Sequence, residues 1–584
     1  MKLVIAEKPS VAISIAKVLG AKKKGEGFYE GNGYIVSWCL GHLVQLASPE
    51  AYSSGFKIWR LENLPILPRQ FKYETEAKTR KQFSVLKKLL NSQEVDQVIN
   101  ACDAGREGEL IFRLVYQEAG CKKQVLRLWM NSMEDRAIAD GFANLKDGND
   151  YLSLFDAATA RSLADWLVGI NLSRLYSCLY RENFSVGRVQ TPVLNLIAER
   201  DAEISAFQKE PYYTVEVNLG NFVLSSERID DLEEARGLCE NLPDTLTLDE
   251  VLQKENVSRP EKPYDLTSLQ REANRYFGFR AQETLELLQK LYEKKWVTYP
   301  RTDSRYLTDD MKATARRLLE KLEPSFQSQS ENFQSLFNSA KVSDHYAILP
   351  TELSAGKNLE ELTEDERKIY LLVRNKFLAA CSENLTERQT RLSAHVNGKR
   401  FSVQGKVLLQ EGFSRYFKGL GKERKETVLP PASEGQSFQV QAKQVTEKFT
   451  KPPLPYTEES LLKAMEHAGC EELEPGLEVE RKGLGTPATR AGIIESLVFR
   501  KFIYREKKNL HATEKGKRLI AVVEDTFRSP QITADWEKKL ALISQRKLSK
   551  DVFLGEITET LRTLSQKKKQ SPLILPSSKK EERG

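Results

Sequence analysis

The chain has 584 residues, 40% of them apolar and 29% charged, and at roughly 150 residues per domain it implies about four compact units, which excludes a single small module. Its charge balance, 89 − 82 = +7, admits a polyanionic partner and equally an ordinary enzyme. No run reaches the roughly 18 consecutive apolar residues of a membrane span, and Glu7 interrupts the N-terminus before a signal-peptide core can form, so a soluble, cytoplasmic protein with no membrane partner is expected.

Residues 1–145 alternate strand-like and helix-like stretches, the pattern of an α/β unit with a largely parallel sheet. A buried strand over 3–6 runs into Glu7-Lys8-Pro9-Ser10 and a helix over 11–19 closed by Gly20. A strand over 98–102 repeats the device, leading into the acidic loop Asp103-Ala104-Gly105-Arg106-Glu107-Gly108-Glu109 and a helix over about 110–119 ended by Gly120. Residues 151–204 read as helical, with Leu163, Leu167 and Ile170 on one face, and 211–256 read as strands. Over 267–292 two short helices resemble a helix-turn-helix, with Thr267-x-x-Gln270 as a capping box, Gly278 as the stop, and Ala281, Leu285, Leu288 and Tyr292 on one face of the second. Strand character returns over 389–445, so a β-rich domain is interrupted by a helical insertion at about 262–385. Residues 450–560 read as helical, and the Lys-rich tail from Gln566 as disordered.

Ligands gather beyond the carboxyl ends of parallel strands, so Glu7 and the Asp103 loop converge if their strands are neighbours. Seven cysteines without a C-x-x-C pair, and five histidines without an H-E-x-x-H spacing, argue against zinc and against a disulfide framework; the thiols are expected reduced and mostly buried. A metal here is then a hard cation, and Asp103, Glu107 and Glu7 suit Mg²⁺, which keeps waters for contact with phosphate. The same carboxylates also suit a helix dipole, and Arg106 reads either as a phosphate clamp or as their counter-ion.

Tyr299, followed by Pro300 and then Arg301, lies in an extended segment that can point its hydroxyl outward. A phenol of ordinary pKa near ~10 needs a cation to act as a nucleophile, and Arg301 is the nearest; a core tyrosine fits the spacing equally. Gly483-Leu484-Gly485-Thr486-Pro487-Ala488-Thr489-Arg490 reads as a phosphate cradle or as a helix cap. His345, next to Asp344, reads as a phosphate ligand, a proton carrier or a structural residue. Gly419-Leu420-Gly421-Lys422 lacks the upstream glycine and the following Ser or Thr of a P-loop, which argues against a nucleotide hydrolase.

Taken in order, these motifs resemble the type IA DNA topoisomerases, most closely the bacterial topoisomerase III branch, over about residues 1–515. Tyr299-Pro300-Arg301-Thr302-Asp303-Ser304 is the most specific element. Gly187-Arg188-Val189-Gln190-Thr191-Pro192, the Asp344 to Thr351 motif, the Gly483 motif and Glu7-Lys8-Pro9-Ser10 support it. The resemblance implies a multidomain α/β plus α plus β fold closed into a toroid with a central hole. Its parts are a Toprim domain (1–148), a helical DNA-binding domain (149–210 and 446–565), a β-rich arch (211–261 and 386–445), a helical gate domain (262–385) and a basic tail (566–584).

It also implies an ATP-independent enzyme that cleaves one DNA strand through a 5′-phosphotyrosine ester on Tyr299, passes a strand and reseals, relaxing negative supercoils, with decatenation left open. Arg301 and Lys8 would neutralise the scissile phosphate, Glu7 would handle the proton of the leaving 3′-oxygen, and His345 would assist. Arg161, Asp165, Arg188, Gln190, Thr191, Ser304, Thr486, Thr489 and Arg490 would hold the strand. The family's metal loop commonly reads Asp-x-Asp-x-Glu, and Gly105 stands at its middle carboxylate here, so one Mg²⁺ on Glu7, Asp103 and Glu107 is expected, with Glu109 or water as a substitute ligand and no second ion. Cys₄ zinc modules are missing, and the segment before Gly483 is acidic (Glu471, Glu472, Glu474, Glu478, Glu480) where some relatives carry a basic loop. Expected partners are single-stranded or negatively supercoiled DNA and a helicase, for a monomer at the bacterial nucleoid. Two competing readings are a catalytically silent single-strand-binding protein and a Toprim nuclease or primase; dependence on Tyr299 separates both.

Overall fold

The unbroken apolar run of strand β1 (Lys2–Ala6) is explained by burial on both faces. Leu3 and Ile5 enter one apolar core and Val4 and Ala6 another, all without solvent exposure. The computed structural model describes residues 1–130, 135–324, 326, 330–342, 345–421, 425–469 and 483–570. After β1 come α1 (Pro9–Leu19), β2 (Lys23–Gly25), β3 (Phe28–Gly31), β4 (Tyr34–Trp38), the separately paired β5 (Val44–Leu46) and β6 (Tyr73–Thr75), α2 (Arg80–Leu90), β7 (Gln97–Ala101), α3 (Arg106–Glu118), β8 (Gln124–Arg127) and β9 (Lys146–Asp147). The seven-stranded sheet has the order β2-β3-β4-β1-β7-β8-β9; β4, β1, β7 and β8 are parallel and the edges antiparallel. β1 and β7 are neighbours in register, Ile5 opposite Asn100 and Ala6 opposite Ala101, so the chain leaves both strands on the same edge at Glu7 and Asp103.

The helix Leu152–Tyr180 runs beneath this unit and into a second core, which it shares with Gln190–Ala206, Pro487–Phe499, Glu514–Val522, Gln531–Ser544 and Lys550–Gln570. The expectation of an all-helical 450–560 is corrected by a three-stranded sheet, Tyr456–Thr457, Ile503–Glu506 and Asn509–Ala512, packed on those helices. The tail expectation is also corrected, because the last described helix continues through Gln570, where Lys568 is buried and donates to the Val522 carbonyl at 3.2 Å. Residues 571–584, with Lys579, Lys580 and Arg583, lie outside the described residues, as do Cys470, Asp344 and the acidic residues Glu471 to Glu480. The other six cysteines are free thiols, five of them buried.

A six-stranded antiparallel sheet draws its strands from two distant segments, in the order Glu250–Ser258, Leu385–Val396, Lys399–Gln410, Val223–Ser226, Pro211–Asn218, Ala442–Phe449. Between them in sequence lies helical structure, including Leu266–Phe277, Ala281–Glu293, Lys312–Leu322 and Glu364–Cys381, with apolar cores of its own. Gly278 ends the first of these helices at φ 76°, a left-handed cap. The capping box sits two residues earlier than expected. Asp265 accepts from the Ser268 amide at 2.7 Å, while Thr267 and Gln270 are buried, Gln270 donating to the Ala281 carbonyl. Among the described residues no helix is long and apolar enough to cross a membrane.

Candidate active site

Lys8 stands at the N-terminus of α1, where Pro9 restricts it to extended backbone, φ −136° and ψ 152°. Its ammonium donates to Tyr299 Oη at 2.8 Å and to Asp103 Oδ2 at 2.9 Å, and lies 3.6 Å from Glu7 Oε1. Burial opposes this charge, but Asp103, Glu7 and the phenol outweigh it and hold the Lys8 pKa above its ordinary value. The cation expected at the phenol was Arg301; the structure corrects this to Lys8, with Arg301 exposed beside it. Burial raises the Tyr299 pKa, and Lys8 pulls against that shift.

The tyrosine's segment is stitched to the extended segment that carries His345. The Thr298 amide donates to the Leu349 carbonyl at 2.9 Å, and Thr302 Oγ1 to the His345 carbonyl at 2.7 Å. The Tyr299 and His345 rings are thereby brought to 4.1 Å between centroids, and His345 Nε2 reaches Asp103 Oδ2 at 3.3 Å. Ser304 takes a supporting part rather than a strand-facing one: it is buried, with its hydroxyl on the Lys341 carbonyl at 2.9 Å.

The Asp103 loop is shaped from behind by Arg127, fully buried, which donates to the carbonyls of Cys102 and Asp103, both at 2.7 Å, and pairs with Glu109 at 2.7 Å. Helix α3 begins at Arg106 rather than at residue 110, so Glu107 and Glu109 fall in its first turn. Glu109 is unexposed between Arg127, Arg113 and Asn100, which rules it out as a substitute ligand. Arg106 is buried and pairs with Glu537 at 2.9 Å, while its charge also contributes to lowering the Glu107 pKa. Glu107 is held by His42 Nε2 at 2.8 Å and Arg161 Nη2 at 2.5 Å; against the effect of burial, the His42 hydrogen bond and the Arg161 charge bring its pKa down to about 2.

The trio expected to bind metal is therefore not gathered. Among the described residues no three acidic, His or Cys side chains converge as a cage, because Lys8 bridges Glu7 and Asp103 while Glu107 faces His42 and Arg161. The donor set still fits a hard cation. Asp103 Oδ1 is buried without a hydrogen-bond partner, and the Asp103 amide donates to Glu7 Oε2 at 3.3 Å, which keeps the two carboxylates adjacent.

A groove of about 640 Å³ opens beside this site, between the helix Leu152–Tyr180 and the Gly483 motif. Arg161, Asp165, Arg188, Gln190, Thr486 and Thr489 line it. Three expected strand contacts are spent inside the protein. Arg490 is buried, donating to Thr267 Oγ1 at 2.9 Å and the Leu484 carbonyl at 3.2 Å; Thr191, also buried, accepts from the Gly187 amide at 3.1 Å; Ser304 is described above. Arg188 is only 6% exposed, fixed by Asp165 at 2.9 Å and stacked on Trp536.

Residues 2–133 match the Toprim domain family, and residues 149–555 match the DNA topoisomerase family. DNA topoisomerase 3 of Bacillus subtilis is 40% identical over 95% of this chain and 80% of that protein, and DNA topoisomerase 3 of Shouchella clausii is 40% identical over 96% and 80%. Full-length topoisomerase I from Thermotoga maritima superposes with a TM-score of 0.70 at 25% identity, covering 96% of this chain and 90% of its own. The chain belongs to the type IA DNA topoisomerases.

The topoisomerase has the toroidal fold of its structural relative and acts without ATP; its family is generally Mg²⁺-dependent. The candidate site and its groove hold residues that motif reading missed. His42 follows β4, a neighbour of β1, so it too lies beyond the carboxyl end of a parallel strand; recognising β4 in the sequence would have pointed to it. Trp59 and Arg500 line the groove of the topoisomerase from segments with no motif at all.

Proposed function

We propose that Tyr299 is the nucleophile of this topoisomerase and Lys8 its electrostatic partner. The observation that carries the reading is the Lys8 ammonium, held at 2.8 Å from the phenol oxygen and 2.9 Å from Asp103. Attack of the Tyr299 oxygen on a strand phosphorus forms the 5′-phosphotyrosine bond and breaks the bond to the 3′-oxygen. The phenol releases its proton to water as the 3′-oxygen gains one. Glu7 is the donor to that oxygen: burial and Asp103 raise its carboxyl pKa, which suits a general acid near neutral pH. Lys8 steadies the phenolate and then the phosphoryl oxygens, with Arg301 and His345 on the open side. Resealing runs the same step backwards, so no external energy is required.

Glu7, Asp103 and Glu107 would hold one Mg²⁺, and when bound it supplies positive charge that aligns the cleaved ends for resealing. The groove's cations and hydroxyls favour a strand backbone, so single-stranded or negatively supercoiled DNA is the substrate, held by Arg161, Asp165, Arg188, Gln190, Thr486 and Thr489. The enzyme works as a monomer, in the bacterial cytoplasm, and a helicase that exposes single strands is a compatible partner. Tyr299→Phe is expected to abolish both relaxation of negatively supercoiled plasmid and the denaturant-resistant adduct with a single-stranded oligonucleotide. Retained relaxation would overturn the assignment.

A further inference from the structure

Glu107 is the carboxylate of the proposed metal site that is tied to the groove wall, through Arg161. Arg161, from the helix Leu152–Tyr180, crosses to it from the groove wall, and His42 covers its other oxygen. Both partners are accessible: the side chains of Arg161 and His42 are 17% and 41% exposed, and that of Glu107 35%. On the opposite side of the site Lys8 plays the same part for Glu7 and Asp103. In the DNA-free protein every carboxylate proposed for metal is thus already neutralised by a protein cation. A carboxylate paired with a guanidinium and an imidazole offers a dication far less than a bare one. A guanidinium binds phosphate in the same forked geometry as carboxylate, so a strand phosphate entering the groove can take Arg161 over without leaving its charge unpaired.

We infer that Arg161 and His42 are positioning residues that hold Glu107 out of the metal site until a single strand occupies the groove, so that DNA binding and divalent-cation binding reinforce each other. The inference rests on Glu107 being a metal ligand. Linkage makes the effect reciprocal: the factor by which DNA tightens the cation is the factor by which the cation tightens DNA. Closure of the groove by the strand then arms resealing at the moment when there is a strand to reseal.

The test uses the full chain in a Tyr299→Phe background, so that no covalent step intervenes, with Mn²⁺ as the probe followed by the electron-paramagnetic signal of the free ion. A single-stranded oligonucleotide should tighten Mn²⁺ binding to the protein beyond the oligonucleotide's own uptake. Without DNA, Arg161→Gln should bind Mn²⁺ roughly fivefold or more tightly than the parent, within the usual span of coupling between sites. His42→Gln should shift affinity in the same direction by less, and both should shrink the effect of DNA. Combining Arg161→Gln with Glu107→Gln should cancel the gain. If Glu107→Gln weakens Mn²⁺ but neither Arg161→Gln nor His42→Gln tightens it, the inference fails while the metal site stands. If Glu107→Gln leaves affinity unchanged, the metal assignment itself fails and takes the inference with it. His42 lies on an exposed loop, so its variant keeps the test available should Arg161→Gln not fold.

Discussion

At the scale of single residues the proposed chemistry turns on one ammonium. Lys8 faces three oxygens, on Glu7, Asp103 and Tyr299, and its charge is the only cation in hydrogen-bonding contact with the phenol among the described residues. A preorganised charge aimed at the reacting oxygen is worth about 10²–10³ in rate when removed from comparable sites. Lys8→Met is therefore expected to slow single-turnover adduct formation by about that factor, while affinity for the oligonucleotide falls far less; parallel losses would assign Lys8 to binding instead. Tyr299, Glu7 and Lys8 were legible because each sits in a compact motif. The contact between Lys8 and Tyr299 was not, since 291 positions separate them and only the folded chain brings them together. For that reason the nearest cation in sequence, Arg301, was mistaken for the nearest in space.

At the scale of elements, the approach of α3 to its own loop depends on the absence of one side chain. A Cβ on Gly108 would stand 2.1 Å from the Asp103 carbonyl oxygen, inside a turn whose other side is clamped by Arg127. Gly108→Ala must push the loop or the helix aside, and overpacking of this kind costs about 1–3 kcal/mol. Its expected signature is a loss of Mg²⁺-supported resealing larger than the loss of stability, read from adduct accumulation against a thermal melt. The elements themselves were largely readable: β1 and β7 from their apolar runs, α1 from Pro9 and Gly20, the helix pair from its spacing. Helix starts were harder, because α3 opens on Arg106 and Glu107, polar residues that look like loop until their partners are known.

The gate helices offer a pH test at the same scale. Glu261 accepts from Lys376 at 2.8 Å and Arg305 at 3.0 Å, tying Glu364–Cys381 to the segment that follows Tyr299. Burial works against the charge, but the two cations bring its pKa down from 4.5 to about 2. A depressed carboxylate stabilises fully above its unfolded pKa and loses that contribution as pH falls through the folded value, so the window lies between about 4.5 and 2. With the side chain 65% exposed, solvent screening limits the contribution to about 1 kcal/mol or less. Glu261→Gln should destabilise at pH 7, and its gap to the parent in urea denaturation should close as the buffer is taken toward pH 3. A constant gap would show that the charge contributes nothing.

Across the whole molecule, the first 150 residues meet the gate at the active site through polar contacts, Lys8 to Tyr299 and His345 to Asp103; the described apolar core that has residues from both, with Leu64 and Ile66 on one side, takes only Ala281 from the gate. A junction of that kind can part with little apolar exposure, as strand passage requires. The opposite side is built to stay together. Arg106 of α3 pairs with Glu537 at 2.9 Å, Glu537 lies 3.7 Å from Arg188, and Arg188 pairs with Asp165 at 2.9 Å, with Trp536 against the guanidinium. Arg106, Glu537 and Arg188 have side chains only 4–6% exposed, so each charge depends on its neighbours rather than on water. Sequence pattern does not reveal this chain of charges, whose first link spans 431 positions. Removing the central carboxylate leaves two buried guanidiniums facing one another, the circumstance in which breaking a buried pair costs about 3–5 kcal/mol. Glu537→Ala should lower unfolding stability by that order, and because Arg188 lines the groove it should also weaken oligonucleotide binding. Glu537→Gln, which keeps the acceptor and loses the charge, should fall between the two. If Glu537→Ala melts with the parent, the network is an ornament of the closed ring and the rigid side of the molecule must be held by the shared apolar core of its helices alone.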